Sequence, residues 1–160
     1  MIITKICFVS WSNRLNPENK SQADIFTLKY AIFPTHDPSL EHWFLLVASM
    51  QERKILYIDS LYDVDRGLEY AKWLQSYIFA EYKARHDDMD MPQDEQDKWT
   101  VECVNGNDAS QQGNGFDCGM YASAFAYCLL HDLPTITFAQ GDMNALRMKF
   151  VYCILQESKN

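Results

Sequence analysis

The N-terminal third of the chain alternates apolar runs with polar, proline-bearing stretches, and this pattern predicts short β-strands separated by turns. Strands are expected over Ile2–Val9 and Ile25–Phe33, followed by a turn region over Pro34–Glu41. The run His42–Ala48 is nearly all apolar, which is typical of a strand buried on both faces. After a polar turn, Lys54–Ile58 returns as the hairpin partner of that strand.

Further along the chain, apolar residues recur at helical spacing. Arg66–Lys83 predicts an amphipathic helix, because four apolar residues fall on one face: Ala71, Leu74, Ile78 and Tyr82. Cys118–Leu130 predicts a strongly apolar, buried helix. A last helix is expected over Asp142–Gln156, and its core-facing residues are expected to be Met143, Leu146, Phe150 and Ile154.

Between the first two helices the pattern changes again. Trp99–Val104 predicts a short strand, and Asn105–Gly115 predicts a loop by its composition. Strands that precede and surround a buried helix favour the α+β class. We therefore expect a central mixed or antiparallel β-sheet that is packed by helices.

The size and charge of the chain limit the number of domains and the classes of partner that we expect. With 160 residues, of which 48% are hydrophobic, the chain predicts a single globular domain over residues 1–160. The formal net charge of −8 argues against a nucleic-acid partner, because binding phosphates needs a basic surface. Acidic residues cluster between Arg85 and Lys98: Asp87, Asp88, Asp90, Asp94, Glu95 and Asp97. This segment predicts a solvated loop, with a docking surface for a basic partner as the alternative.

Cysteine usage favours a reducing, intracellular setting. The five cysteines are odd in number, form no C-x-x-C pair and lack the spacing of a zinc site, so no metal is expected. The apolar run at residues 1–10 has no recognisable cleavage site, and no segment approaches the ~20 apolar residues of a membrane span. We expect a monomer in the nucleus or cytoplasm that binds no membrane and uses no cofactor.

The stretch from Gln112 to Gly119 reads Gln-Gly-Asn-Gly-Phe-Asp-Cys-Gly and is the most informative part of the chain. It places Cys118 at the N-terminus of the predicted apolar helix, where the helix dipole and free backbone N–H groups favour a thiolate. The glycines before it let the backbone come close to a bound carbonyl group. An amide side chain, Gln112, lies six residues upstream of the thiol. This arrangement suits covalent acyl transfer by a cysteine nucleophile.

The pattern Gln-x-Asn-Gly-x-Asp-Cys-Gly resembles the nucleophile motif of the Ulp1/SENP family, papain-like thiol proteases that process ubiquitin-like proteins such as SUMO. Two further motifs match that family in order and spacing: His42-Trp43 within an apolar run, and Asp59-Ser60-Leu61 after one. The tail from Phe138 to Met143, with Leu146-Arg147, also resembles the family's C-terminal segment. The resemblance implies a catalytic domain in which the nucleophile begins a buried helix.

The resemblance implies four catalytic residues: His42, Asp59, Gln112 and Cys118. Cys118 would be the nucleophile, and His42 would take its proton and later protonate the leaving amine. Asp59 would hold the imidazole in the useful tautomer, and two adjacent buried strands would bring it to the same sheet edge as His42. Gln112 would donate its side-chain N–H to the developing oxyanion, together with the backbone N–H of Cys118.

Three more residues are implied to contact or shape the path of the substrate: Trp43, Asn114 and Gly115. A flat aromatic wall at Trp43 leaves room only for residues without side chains, so it selects a Gly-Gly end by exclusion. Asn114 and Gly115 would shape the turn that presents the thiol. The implied function is cleavage after the C-terminal Gly-Gly of a ubiquitin-like modifier or its conjugates. SUMO is favoured as that modifier, with NEDD8 or ubiquitin as alternatives.

Taken singly, these residues have plain structural alternatives. Cys118 could be a small, inert core residue, and Asp59 could be a turn residue at a strand end. Gln111 rivals Gln112 as the oxyanion donor, and the offset from the cysteine favours Gln112. Trp43 could serve in core packing. All four catalytic positions in the family's order favour the catalytic interpretation.

The N-terminal part departs from the family pattern. Only 41 residues precede His42, and Trp11 lacks the Trp-Leu-x-Asp-like context that the family carries before its histidine. We therefore expect a compact or N-terminally truncated member. Other functions stay open: a polyprotein-processing cysteine protease of a virus or mobile element, a non-catalytic module that binds ubiquitin-like proteins, or an acyltransferase with the same thiol chemistry.

Overall fold

Residues 24–157 are described by a computed structural model, and four strands form one sheet. The strands are β1 Tyr30–Asp37, β2 His42–Ser49, β3 Lys54–Ile58 and β4 Thr100–Cys103, in the spatial order β1-β2-β3-β4. The turns before β2 and before β3 are too short for a parallel crossover, so these neighbours run antiparallel. β3 and β4 pair in parallel, with Ile55 opposite Val101. The mixed sheet and its helices confirm the predicted α+β class.

Helix α1, Val64–Arg85, is the crossover that the parallel β3–β4 pair requires. Its buried residues recur at steps of three or four along the predicted face: Gly67, Ala71, Leu74 and Ile78. A side chain at Gly67 would collide with the Tyr57 ring and with the Cys103 sulfur. Glycine therefore lets α1 approach β3 and β4 closely. A single helical turn, α2 Gln93–Gln96, precedes β4.

The strand predicted over Ile25–Phe33 is wrong at both ends. Its first residues, Ile25–Thr27, form a 3-10 helix, and β1 continues through Pro34. Proline has no N–H for a strand partner, but β1 lies at the edge of the sheet, where one row of backbone groups needs no such partner. The strand predicted over Ile2–Val9 lies outside the described residues.

The last two helices, α3 Cys118–Leu130 and α4 Met143–Glu157, contact each other. α3 has the predicted bounds and buries most of its first ten residues' apolar side chains. In α4, Met143 is 2% exposed, as predicted, but Ile154 is 67% exposed, so its core-facing assignment is wrong. A periodic pattern gives the apolar face of a helix, but it does not tell how much of the helix length neighbouring residues cover.

The described residues divide into two compact units, each made of several separate segments. The first unit comprises residues 24–33, 46–57 and 65–103. The second comprises residues 34–45, 58–64 and 104–157. Both units draw residues from the strands of the sheet, and α3 and α4 lie in the second. The single catalytic domain over residues 1–160 stays a prediction.

Candidate active site

All seven residues singled out in the sequence lie in the second unit. The start of β2 places His42, and the end of β3 places Asp59 directly after it. Because β2 and β3 form an antiparallel hairpin, the beginning of one strand and the end of the other meet at the same sheet edge. The other two catalytic candidates belong to the loop that leads into α3, with Cys118 as the first helical residue.

The His42 ring and the Asp59 carboxylate form a buried pair. Nε2 of His42 lies 2.6 Å from Oδ1 of Asp59, and the two residues are 5% and 0% exposed. A carboxylate only accepts hydrogen bonds, so Nε2 carries a proton, and Nδ1 is the acceptor nitrogen of the neutral ring. Asp59 Oδ1 also accepts the backbone N–H of Leu61 at 2.9 Å, which fixes the carboxylate in its turn.

The first turn of α3 lies against the start of β2. Cys118 is a free cysteine, 6% exposed, at the N-terminal end of the helix. A Cβ atom built at Gly119 would come within 3.9 Å of the Trp43 indole ring. Since Trp43 follows His42 and Gly119 follows Cys118, the segment that carries the imidazole and the segment that carries the thiol are neighbours. A thiol at such a helix end experiences the positive end of the dipole.

The Gln112 side chain is held on both sides of its amide. Its Oε1 accepts the Ser60 hydroxyl at 2.7 Å, and its Nε2 donates to the backbone oxygen of Asn114 at 2.6 Å. Its backbone N–H donates to the Ser60 carbonyl at 2.9 Å. The amide therefore faces the thiol-bearing loop in one orientation.

The neighbouring Gln111 has a different set of partners. Its Nε2 donates to the backbone oxygen of Asp59 at 3.0 Å, and its Oε1 accepts the Tyr62 N–H at 3.1 Å. These contacts commit its amide to the turn after β3. Gln111 thus stabilises the turn that holds Asp59, a role that the sequence does not indicate, because spacing alone makes this residue a rival of Gln112.

Asn114 shapes the loop before the thiol through both ends of its amide. Its Oδ1 accepts the N–H of Phe116 at 3.2 Å and the N–H of Asp117 at 3.1 Å. Its Nδ2 donates to Asp117 Oδ2 at 2.7 Å. Packing does not require a glycine at position 115, because a Cβ atom built there would meet no heavy atom within 4 Å. The loop therefore leaves open space beside this glycine.

Asp117 anchors the same loop to the C-terminal segment. It is 2% exposed and accepts hydrogen bonds from Asn114, from Gln140 at 2.5 Å and from the Arg147 guanidinium. The Asn114 amide and the Arg147 guanidinium hold the pKa of this carboxyl below its ordinary value, because they favour the ionised form. Gln140 also accepts the Gly113 N–H at 2.7 Å. The resemblance of the tail to the family's C-terminal segment was the sequence signal for these two anchors.

The Trp43 side chain is 41% exposed, so the alternative of core packing is wrong. Its indole lies 4.8 Å from the His36 ring, at 39° between the planes. The partly exposed indole lies beside the first turn of α3. Phe116, which lies two residues before Cys118 in the sequence, is 77% exposed.

The described part of the chain shows no arrangement for a metal and no membrane helix. In residues 24–157, no cluster of three or more His, Cys, Asp or Glu side chains could hold an ion. None of the helices in that range is long and apolar enough to cross a bilayer.

Comparison with known proteins places the chain in one family. The family model described as "Ulp1 protease family, C-terminal catalytic domain" matches residues 5–158. Sentrin-specific protease 2 of Homo sapiens is 30% identical over 135 residues, which is 84% of this chain and 21% of that protein. The deubiquitinase and deneddylase Dub1 of Chlamydia trachomatis is 28% identical over 118 residues, which is 73% of this chain and 28% of that protein.

A solved structure has the same fold. The C-terminal Ulp1 protease domain in complex with Smt3, the yeast ortholog of SUMO, superposes with a TM-score of 0.68 at 22% identity. The match covers 86% of this chain and 57% of that chain. The chain thus spans a minor part of the length of the curated relatives and little more than half of the solved domain.

Proposed function

The chain belongs to the Ulp1 protease family, and from that premise we propose that it is a cysteine peptidase and isopeptidase that cleaves after the C-terminal Gly-Gly of a ubiquitin-like modifier. The buried His42–Asp59 pair, on the segment next to Cys118 at the start of α3, is the observation that carries the proposal. The arrangement supplies a base, a residue that orients the base, and a nucleophile.

In the acylation step, Nδ1 of His42 takes the proton of the Cys118 thiol, and the sulfur attacks the carbonyl carbon of the terminal glycine. A C–S bond forms, and the carbonyl oxygen becomes an oxyanion. The tetrahedral intermediate then collapses, the C–N bond breaks, and the imidazolium gives its proton to the leaving amine. The product is a thioester between Cys118 and the modifier.

In the deacylation step, His42 takes a proton from water, and the resulting hydroxide attacks the thioester carbon. The tetrahedral intermediate collapses and the C–S bond breaks. The imidazolium returns its proton to the departing sulfur, which restores the Cys118 thiol, and the modifier leaves with a C-terminal carboxylic acid that ionises to the carboxylate. The Asp59 carboxylate stabilises the charged imidazole in both steps and keeps its ring orientation.

Gln112 serves as the side-chain donor to the oxyanion in both steps. One N–H of its amide is bound to the Asn114 carbonyl, and the amide has a second N–H for the substrate oxygen. The backbone N–H of Cys118, at the start of the helix, is the second donor. Loss of one such donor costs about 10²–10³ in rate in comparable sites.

The exposed face of Trp43 supports selection of a Gly-Gly end. The Trp43 indole lies beside Gly119, the residue that follows Cys118 in the first turn of α3. A flat wall excludes side chains at the last positions of the substrate. The likeness to sentrin-specific protease 2 supports SUMO as the modifier, and the likeness to a deubiquitinase and deneddylase makes ubiquitin and NEDD8 the alternatives to test.

The test is a panel of ubiquitin-like proteins that carry a C-terminal electrophile. We expect a covalent adduct with the SUMO probe, detected as a mass shift, and turnover of a matching Gly-Gly-linked substrate. Cys118→Ala should abolish the adduct. Cys153→Ala is the matched control, because this thiol is also free but lies exposed on α4, and it should react like the parent.

The panel also decides between the alternatives. An adduct with the ubiquitin or NEDD8 probe but not with SUMO would replace the modifier and keep the chemistry. No adduct with any member, from protein shown to be folded by thermal unfolding, would overturn the proposed function.

A further inference from the structure

Gln112 can donate to an oxyanion only if the nitrogen end of its amide points the right way. Asn114 offers a carbonyl oxygen, which accepts hydrogen bonds and cannot donate. The nitrogen end of the amide must therefore face it, at 2.6 Å. The opposite orientation would place two oxygens against each other. The oxygen end of the Gln112 amide, Oε1, consequently faces the other way.

The oxygen end meets the Ser60 hydroxyl at 2.7 Å. Ser60 is 1% exposed and Gln112 is 9% exposed, so solvent does not stand in for the hydroxyl. A buried carbonyl oxygen without a donor is unfavourable, and the amide would rotate to find one. The serine hydroxyl thus completes the only orientation in which both ends of the amide have partners.

The same hydrogen bond strengthens the donor. A hydroxyl that donates to Oε1 withdraws electron density toward the oxygen and makes the N–H groups better donors, as in other chains of hydrogen bonds. Ser60 also accepts the Gln112 backbone N–H at 2.9 Å, so the two residues are tied at two points. Since Ser60 follows Asp59 directly, one turn holds both the partner of the imidazole and the partner of the oxyanion donor.

We propose that Ser60 is a positioning residue for the oxyanion donor, because its hydroxyl orients and polarises the Gln112 amide. Ser60 does not touch the substrate and acts through Gln112 alone. The inference rests on the proposed function, since it needs an acyl transfer with an oxyanion.

The experiment is a double-mutant cycle on a Gly-Gly-linked modifier substrate. Ser60→Ala should lower kcat roughly tenfold with little change in KM, a part of the 10²–10³ that a lost donor itself costs. In a Gln112→Ala background the same change should have no further effect on kcat. Ser110→Ala is the matched control: Ser110 is also buried in the second unit, but its hydroxyl donates to the Phe138 carbonyl, and its kcat should equal that of the parent.

A second readout separates positioning from a general structural effect. A modifier with a C-terminal aldehyde forms a hemithioacetal with Cys118, and the tetrahedral oxygen of this adduct occupies the position of the oxyanion, whereas the modifier with its free carboxylate forms no such adduct. Ser60→Ala should weaken only the aldehyde complex, again roughly tenfold. Should Ser60→Ala fail to fold, the nearly isosteric Ser60→Cys, with its weaker donor, should give a kcat between those of the parent and Gln112→Ala.

Two results would overturn the inference. One is a parent-like kcat for Ser60→Ala or, failing its folding, for Ser60→Cys. The other is an equal loss of kcat in the parent and Gln112→Ala backgrounds, which would show that Ser60 acts through the general structure. A parent protein without turnover or adduct would instead overturn the proposed function. Failure of the Ser60 inference can therefore be distinguished from failure of the proposed function.

Discussion

The two compact units of the chain keep their polar side chains in different places. The first unit carries ion pairs on its surface, such as Arg53–Glu95 at 2.9 Å and Lys83–Asp90 at 3.0 Å. Buried polar side chains belong mainly to the second unit, and in residues 24–157 they are Asp37, His42, Asp59, Ser60, Ser110, Gln112 and Asp117, against Ser49 in the first. Charged side chains of the first unit thus pair at its surface, whereas the second unit buries most of the polar side chains that have little exposure to solvent.

This difference shows that the second unit contains the arrangement that is harder to stabilise, namely buried polar side chains. A buried polar group is destabilising unless its hydrogen bonds are made, whereas a surface ion pair is screened by water and contributes little. Within the described residues, every buried side-chain nitrogen and oxygen has a partner. The second unit thus satisfies an expensive network completely, and that network surrounds the residues to which we assign the chemistry. We therefore expect substitutions in the buried network to change activity or stability more than substitutions of the surface ion pairs.

The largest effect is expected at the buried pair of the second unit. Asp59→Asn should lower kcat by up to about 10⁴-fold with a smaller change in KM, because the imidazole loses its tautomer and its stabilised charge. Steady-state kinetics on a Gly-Gly-linked substrate measures both constants. The matched control is Asp37→Asn, a buried aspartate that accepts the Ser39 N–H at 2.9 Å, and its kcat should stay near that of the parent. A change mainly in KM at Asp59 would contradict the orienting role.

A smaller effect, on stability, is expected at the anchor of the loop. Arg147→Met removes the charged donor of the buried Asp117 carboxylate and should lower the free energy of unfolding by about 1–3 kcal/mol. Chemical denaturation at pH 7 measures this. Lys149→Met is the control on the same helix, because this cation lies at the surface and donates to the Tyr127 hydroxyl. Equal losses for the two variants would remove the distinction between buried and surface charges.

The difference in the free energy of unfolding between the parent and Arg147→Met should decrease at acidic pH. The pKa of Asp117 in the folded chain lies below the ordinary 3.8, first through the Asn114 amide and then through Arg147. Its contribution to stability is therefore present above that ordinary value and is lost as the pH falls through the folded-state pKa. Unfolding curves recorded at pH 7 and at successive pH values below 3.8 should converge progressively, because protonation of Asp117 removes the interaction in the parent as well. A gap that widens in acid would contradict the lowered pKa.

The smallest effect is expected on the surface of the first unit. Nζ of Lys54 lies 3.0 Å from Oε2 of Glu102, and the two side chains are 34% and 51% exposed. Lys54→Gln should move Tm by no more than about 2 °C, because water and salt screen the pair. A thermal scan at low and at high salt checks this. A shift as large as that of Arg147→Met would erase the contrast between the two units.

Local patterns predicted much of this fold because they act over neighbouring residues. The nearly all-apolar strand β2 and the apolar helix that begins at Cys118 were predicted with bounds that are right to within one residue. β1 was misplaced because Pro34 is acceptable only in an edge strand, and strand order is a property of the whole sheet. Ile154 was misassigned because coverage of a helix depends on what packs on it.

The catalytic candidates could be picked out by motif, but their supports could not. The motif that contains Ser60 assigns it no role, and the spacing before Cys118 makes Gln111 only a rival donor. Their functions rest on hydrogen bonds that join residues about fifty positions apart in sequence, Ser60 to Gln112 and Gln111 to Asp59. Which atom donates to which across such a distance follows from the folded backbone, and no spacing rule contains it.

The hydrogen bond between Asp117 and Arg147 joins two residues that are synthesised at different times. The two residues are 30 positions apart, so a ribosome releases the thiol-bearing loop well before it releases the guanidinium that secures it. Until α4 has been made, Asp117 lacks the guanidinium that donates to it in the folded chain. A product that ends before residue 147 therefore lacks the guanidinium that anchors the loop before Cys118.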